Sequence, residues 1–118
     1  MNPSCTISVR KGKKVYCDQS GYPSYVGYML FKHYNTKELA EKLVSFGDMH
    51  YLESTIDSTC YYHRDWGEAL LFCYGEEQYN YTFVNGKGWF VNGLVLETYL
   101  RGLAVEGVIP SKEIINGK

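Results

Sequence analysis

Three stretches of the sequence place ring side chains beside cations or turn formers, a combination suited to holding a flat, anionic molecule. The first is Asp18-Gln19-Ser20-Gly21-Tyr22, directly ahead of Pro23. Backbone amides at a helix N-terminus attract anions, and a glycine lets a phosphate approach closely. Ser20 and Tyr22 are the side chains this loop would add to a ligand site; the plainer reading is a turn with an N-cap. The second is Tyr61-Tyr62-His63-Arg64-Asp65-Trp66-Gly67. Arg64 offers a planar fork for phosphate or carboxylate, and the neighbouring rings offer stacking surfaces. Its plainer reading is a surface pair of Arg64 with Asp65 or Glu68. The third is Tyr79–Phe83 with Trp89-Phe90-Val91-Asn92. In a strand Tyr79, Tyr81 and Phe83 share one face, a ladder that can stack on a base but more often fills a core or an interface. Asn92 could read an adenine edge, but beside Gly93 it is first a turn residue.

Catalytic and metal chemistry is less well served. A thiolate nucleophile needs a cysteine beside an activating histidine, and nothing in the spacing builds such a pair from Cys17 and His63. Cys60-x-x-His63 with Cys73 has loosely metal-like spacing, yet a second paired motif is missing. No catalytic residue, metal site or cofactor is therefore expected, and the chain is read as a non-enzyme.

The elements that must position these residues follow from pattern. Residues 4–9 alternate, Lys11-Gly12-Lys13 is a turn and residues 14–17 return, which predicts a hairpin. Pro23 suits a first helical turn, and Tyr25, Val26, Met29, Leu30 and Tyr34 recur at helical period, predicting a helix over about 23–34. Asn35 with Glu38 reads as the N-cap signature of a second helix, about 36–46, with Leu39, Ala40, Leu43 and Val44 on its apolar face and Gly47 at its end. Tyr61-Tyr62, Ala69–Tyr74, Tyr79–Val84 and Gly88–Val91 read as strands, with Asn85-Gly86 as a hairpin turn. Leu94–Leu103 reads as a short helix with Leu94, Val95, Thr98, Tyr99 and Leu103 on one side, and the last fifteen residues as irregular. The fold class is α+β: a curved antiparallel sheet with two consecutive helices on one face and a short C-terminal helix, residues 1–118 forming a single domain.

Composition bounds the function classes. A net charge of -1 does not suit a strongly basic nucleic-acid binder. No apolar run approaches the roughly 20 residues a membrane-spanning helix needs, and Met1-Asn2-Pro3-Ser4 does not read as the start of a signal peptide. A soluble cytoplasmic protein is expected, its four cysteines reduced. Charge is uneven: residues 1–42 carry 7 Lys/Arg against 3 Asp/Glu, and residues 43–118 carry 5 against 10. Twelve Tyr, 5 Phe and 2 Trp are more rings than a small core is expected to cover, which predicts a groove or a subunit interface.

Taken together, four segments resemble a family. They are Tyr16-Cys17-Asp18-Gln19-Ser20-Gly21-Tyr22-Pro23, Leu30 to His33-Tyr34, Leu43 to Gly47-Asp48 and Leu52, and Tyr62-His63-Arg64-Asp65-Trp66-Gly67-Glu68. Over roughly residues 5–92 the chain resembles the phage Thoeris anti-defence sponge family, small phage and prophage proteins. It departs from that pattern at Asp18-Gln19-Ser20, where the family's usual His and Asp are absent, and this leaves ligand contacts by the loop open. The resemblance implies a protein that binds a cyclised ADP-ribose signal, in some members also cyclic oligonucleotides, and withholds it from an effector without catalysis. It also implies a homodimer or larger even oligomer. On that reading the pyrophosphate would be gripped by Arg64 and Arg101, with Phe83 or Trp89 stacked on the adenine. Asn92, Tyr22 and Ser20 would complete the site. A protein-binding inhibitor of a host defence nuclease, using a tyrosine-rich surface, is the alternative.

Overall fold

A computed structural model describes residues 4–68 and 79–107. Its β-strands are β1 (Cys5–Val9), β2 (Lys14–Cys17), β3 (Met49–Tyr51), β4 (Cys60–Tyr61), β5 (Tyr79–Val84), β6 (Gly88–Val91) and β7 (Leu94–Val95). They form one curved open sheet in the order β4-β3-β2-β1-β5-β6-β7. A π-helical turn, Pro23–Gly27, runs directly into α1 (Tyr28–His33); α2 (Lys37–Ser45), α3 (Tyr62–Trp66) and α4 (Leu96–Val105) complete the helices.

The α+β class, the two consecutive helices and the short C-terminal helix are as the sequence predicts. The sheet itself is mixed rather than wholly antiparallel. The hairpin β1–β2 places β1 at the centre, and β1 then pairs in parallel with β5, as β2 does with β3. Parallel pairing needs a crossover, and the α1–α2 segment supplies the one between β2 and β3. Local periodicity carries no information about such long-range pairing.

Alternation decides which face of each strand is covered. Ile7, Val15, Tyr81, Phe83, Trp89 and Val91 are buried together with Val26, Leu30, Leu43, Leu96 and Leu100. Gly27 is hemmed in by side chains of α4 and β5: a Cβ there would stand 3.1 Å from Leu96 and 3.3 Å from Tyr81.

The tyrosines are accommodated differently from the expectation of excess exposed rings. Tyr34, Tyr61 and Tyr81 are almost completely buried, and each hydroxyl donates to a main-chain carbonyl: Glu53 at 2.7 Å, Leu43, and Gly21 at 2.8 Å respectively. Half-buried Tyr25 does the same to Leu52 at 2.8 Å. A ring can thus enter the core at little cost when its one polar atom satisfies a carbonyl at the core's edge. Burial raises the Tyr34, Tyr61 and Tyr81 hydroxyls above the usual tyrosine range, so they stay protonated donors.

Several local expectations shift by a residue or more. Thr36, not Asn35, caps α2, its Oγ1 accepting the Leu39 N–H at 3.2 Å. Leu39 lies off the buried face of that helix. Tyr62 begins α3 rather than continuing a strand. Asn92-Gly93, both at positive φ, form a tight turn into the short strand β7, which pattern reading merged with the helix. In α4 the buried face is Leu96, Leu100 and Ala104, while Leu94, Val95 and Tyr99 are exposed. The strand read over residues 69–74, Cys73 and the irregular final residues from 108 lie outside the described residues.

Candidate functional site

The loop at Asp18 and the helix α3, two of the stretches singled out by residue type, meet in space. Beyond Cys17, Asp18 N–H donates to Met49 O at 3.0 Å and Gln19 N–H to His50 O at 3.1 Å, which lays Asp18 beside His50. Tyr62 N–H donates to Asp48 O at 3.1 Å and brings α3 onto the same edge. Tyr62 Oη then donates to Asp18 Oδ2 at 2.6 Å across 44 residues of sequence. His50 Nδ1 lies 3.3 Å from both that carboxylate oxygen and the Tyr62 hydroxyl. Desolvation, and then the bond to Asp18, raise the Tyr62 hydroxyl above its ordinary range, so it remains a donor.

Around this polar centre stand three rings. Trp66, one turn beyond Tyr62 on α3, packs 5.2 Å from both the Tyr62 and His50 rings. Its relative exposure is 49%. His50 was not singled out from sequence, because a lone histidine on a three-residue strand carries no pattern. Its role emerges only from strand β3 lying beside the Asp18 loop.

Tyr62 also walls a cleft of about 620 Å³ that is lined by Lys13, Lys14, Phe46, His63 and Arg64, among other described residues. This falls within the roughly 300–1,000 Å³ of small-molecule sites. Lys13 Nζ reaches Ser45 O at 3.5 Å, and neither Lys13 nor Lys14 forms an ion pair among the described residues.

Arg64 makes the pair with Asp65 that its plainer reading expects, and adds main-chain partners. Nη1 donates to Ile56 O at 3.0 Å and Nη2 to Thr59 O at 2.7 Å. Nε and Nη2 also bond the Asp65 carboxylate at 2.9 and 3.0 Å. The guanidinium lies 4.7 Å from the Tyr61 ring centre and 5.5 Å from that of Phe46. The hydrogen bond from Arg64, with the Tyr61 N–H, holds the Asp65 carboxyl below its usual range. Arg64 therefore knots residues 56–59 to α3, and its fork is largely occupied. Gly67, at φ +66, closes the helix by donating to His63 O.

The other sequence-derived site residues are scattered. Phe83 and Trp89 do meet, edge to face at 5.3 Å, but inside the core, with the Trp89 Nε1–H donating to Tyr34 O at 3.0 Å. No open ring face remains for an adenine, because the alternation that built the ladder points it at the helices. Arg101 is exposed on α4 and pairs with Glu97 at 2.7 Å, one turn away. Asn92 Oδ1 accepts the Asn80 N–H at 2.8 Å and pins the end of β5 to the turn. Tyr22 is exposed against Tyr79, and Ser20 sits at positive φ in the same loop as Asp18. Of the residues expected to bind, the structure thus places Ser20 and Tyr22 on the loop of the α3 site and Arg64 at its cleft.

No family model, curated protein or solved structure matches the chain. The functional reading consequently rests on the residues themselves. What they offer is a carboxylate-centred ring cluster, open at Trp66, sharing a wall with a lysine-bearing cleft. Such a surface can hold a flat ring on one side and an anionic group on the other. Among the described residues, no group of three or more His, Cys, Asp or Glu is placed to hold a metal ion.

Proposed function

We propose that this protein is a phage-encoded anti-defence sponge: it binds a cyclic nucleotide immune signal, a cyclised ADP-ribose or a cyclic oligonucleotide, and withholds it from its effector without turnover. The observation that carries this reading is the junction at Tyr62, where two segments bearing the family resemblance join through the bond to Asp18. The base would lie against Trp66 and His50, and Lys13 and Lys14 would face the phosphates from the cleft. This relocates the ligand away from Phe83, Trp89 and Arg101. Stacking on an exposed ring tolerates many bases, which suits a protein that captures signals rather than reading sequence.

Calorimetric titration with cyclic ADP-ribose isomers and cyclic oligonucleotides tests the proposal, with release of intact ligand on heating as the sign of sequestration. Binding by none of them, or recovery of a cleaved product, would overturn it. A second reading, a protein-binding inhibitor of a host nuclease, draws on exposed Leu94, Val95, Tyr99 and Val105 around β7 and α4. The same apolar surface supports assembly into a homodimer or larger even oligomer. Light scattering at micromolar concentration separates these, since an inhibitor surface left free gives a 13.6 kDa monomer. No helix among the described residues is long and apolar enough to cross a membrane, and we place the protein's action in the host cytoplasm on the strength of the sponge reading.

A further inference from the structure

A second concavity lies away from α3. Because β1 and β5 run parallel and end together, their following turns sit at the same end of the sheet. Arg10 N–H donates to Phe83 O at 2.9 Å, and Lys87 N–H donates to Val84 O at 2.9 Å, so the backbones of both cations are pinned. Between them is a hollow of about 450 Å³ lined, among the described residues, by Arg10, Thr82, Val84, Lys87, Phe90 and Gly93. Thr82 and Phe90 are directly paired across β5 and β6, on the opposite face to Tyr81 and Phe83. A smaller hollow, about 310 Å³, shares Arg10 and Val84 and adds Lys11.

Neither hollow has a carboxylate among its described lining residues, although the chain holds 13 Asp/Glu against 12 Lys/Arg. Among the described residues, Arg10, Lys11 and Lys87 form no ion pair and no side-chain hydrogen bond. Two like charges facing one concavity repel unless a counter-charge lies between them. An arginine fork beside a lysine ammonium matches the oxygens of a doubly charged phosphate. The half-buried Phe90 ring and the Val84 side chain supply an apolar floor next to that position.

We infer that this hollow binds a phosphate monoester carrying a flat apolar body, with Arg10 and Lys87 on the phosphate and Phe90 under the body. It is independent of the α3 site and does not rest on the nucleotide reading. Phenyl phosphate and inorganic phosphate are the probes, followed by amide chemical shifts in two-dimensional NMR. Phenyl phosphate should shift Arg10, Val84, Lys87 and Phe90 saturably and bind more tightly than inorganic phosphate. The double variant Arg10→Gln/Lys87→Gln should weaken it by about tenfold or more, as loss of charge-assisted contacts does. Lys37→Gln/Lys42→Gln, at exposed positions of α2, should leave it unchanged. The proposal fails if no saturable shift appears, if the Arg10/Lys87 variant binds as the parent does, or if the shifts centre on Lys13, Lys14 and Tyr62. Equal affinity for the two probes would remove Phe90 from the site and overturn the assignment of an apolar body.

Discussion

Two ring clusters in this molecule have nearly the same chemistry and opposite circumstances. Phe83 and Trp89 lie under the helices, edge to face, with the indole N–H bonded to Tyr34 O. Tyr62, Trp66 and His50 lie at the far side of the sheet order, around the Asp18 carboxylate, with the indole open to solvent. Strand periodicity put the first cluster on one face and thereby delivered it to the core. A five-residue helix closed by Gly67 left the second at the surface. Ring content is therefore a poor guide to ligand sites unless the partner of each polar atom is known. Where hydroxyls and indole N–H groups end on main-chain carbonyls, the rings are structural. Where they end on a half-exposed carboxylate, a surface remains to be used.

That contrast can be broken most forcefully in the core. Phe83→Ala should lower unfolding free energy by about 3–5 kcal/mol, as truncation of a buried aromatic does, and urea denaturation reads it directly. A variant as stable as the parent would mean that the ladder is not core. Next comes the knot beneath the exposed cluster. Arg64→Ala leaves the carbonyls of Ile56 and Thr59 without their donor and should cost about 1.5–3 kcal/mol, and Arg64→Lys should not restore it because the fork is lost. The Asp65 carboxyl is lowered by the same contact. Its contribution is present above the ordinary carboxyl range and fades as pH falls through the lowered folded value. Asp65→Asn should be less stable than the parent above that acidic window, and the two should converge as pH falls through it, read by urea denaturation followed by circular dichroism at each pH.

At the exposed cluster the effect should move from stability to binding. Trp66→Ala should change unfolding free energy by less than about 1 kcal/mol. On the proposed sponge reading it should weaken binding of a cyclic nucleotide by about 1–3 kcal/mol, measured by calorimetry. If Trp66→Ala binds normally, the ring cluster is not the base platform. Smallest of all, Arg101→Ala removes a solvent-exposed i,i+4 pair with Glu97 and should cost about 0.3–0.5 kcal/mol with no loss of ligand affinity. A large loss of affinity would return Arg101 to the site.

Elements governed by local signals were legible in the sequence: the β1–β2 hairpin, the proline-started helix, α2 up to Gly47, and the Asn85-Gly86 turn. So were the Asp18 loop and Tyr62–Gly67, as stretches where rings and charges fall together. Their meeting was not, since it depends on β3 docking in parallel beside β2, which no nearby residue announces. For Arg64 the pair with Asp65 was legible from neighbouring charge, whereas the carbonyls of residues 56–59 that also hold its fork are invisible to charge patterning. Phe83 and Trp89 were misjudged because alternation shows that rings share a face without showing which layer covers it. The β7 strand escaped because two residues are too few to display a period.

The position of β1 bears on how the chain reaches this state. One edge of β1 is closed at once by β2, but the other waits for β5; Thr6 and Asn80, whose side chains bond at 2.6 Å, stand 74 residues apart. Contacts of that separation are costly to close and slow folding. During synthesis at about 5–20 residues per second, the hairpin emerges several seconds before its second neighbour exists. Through that interval the inner edge of β1 presents unpaired amides and carbonyls, so the order of manufacture leaves the centre of the finished sheet open long after its first hairpin is made.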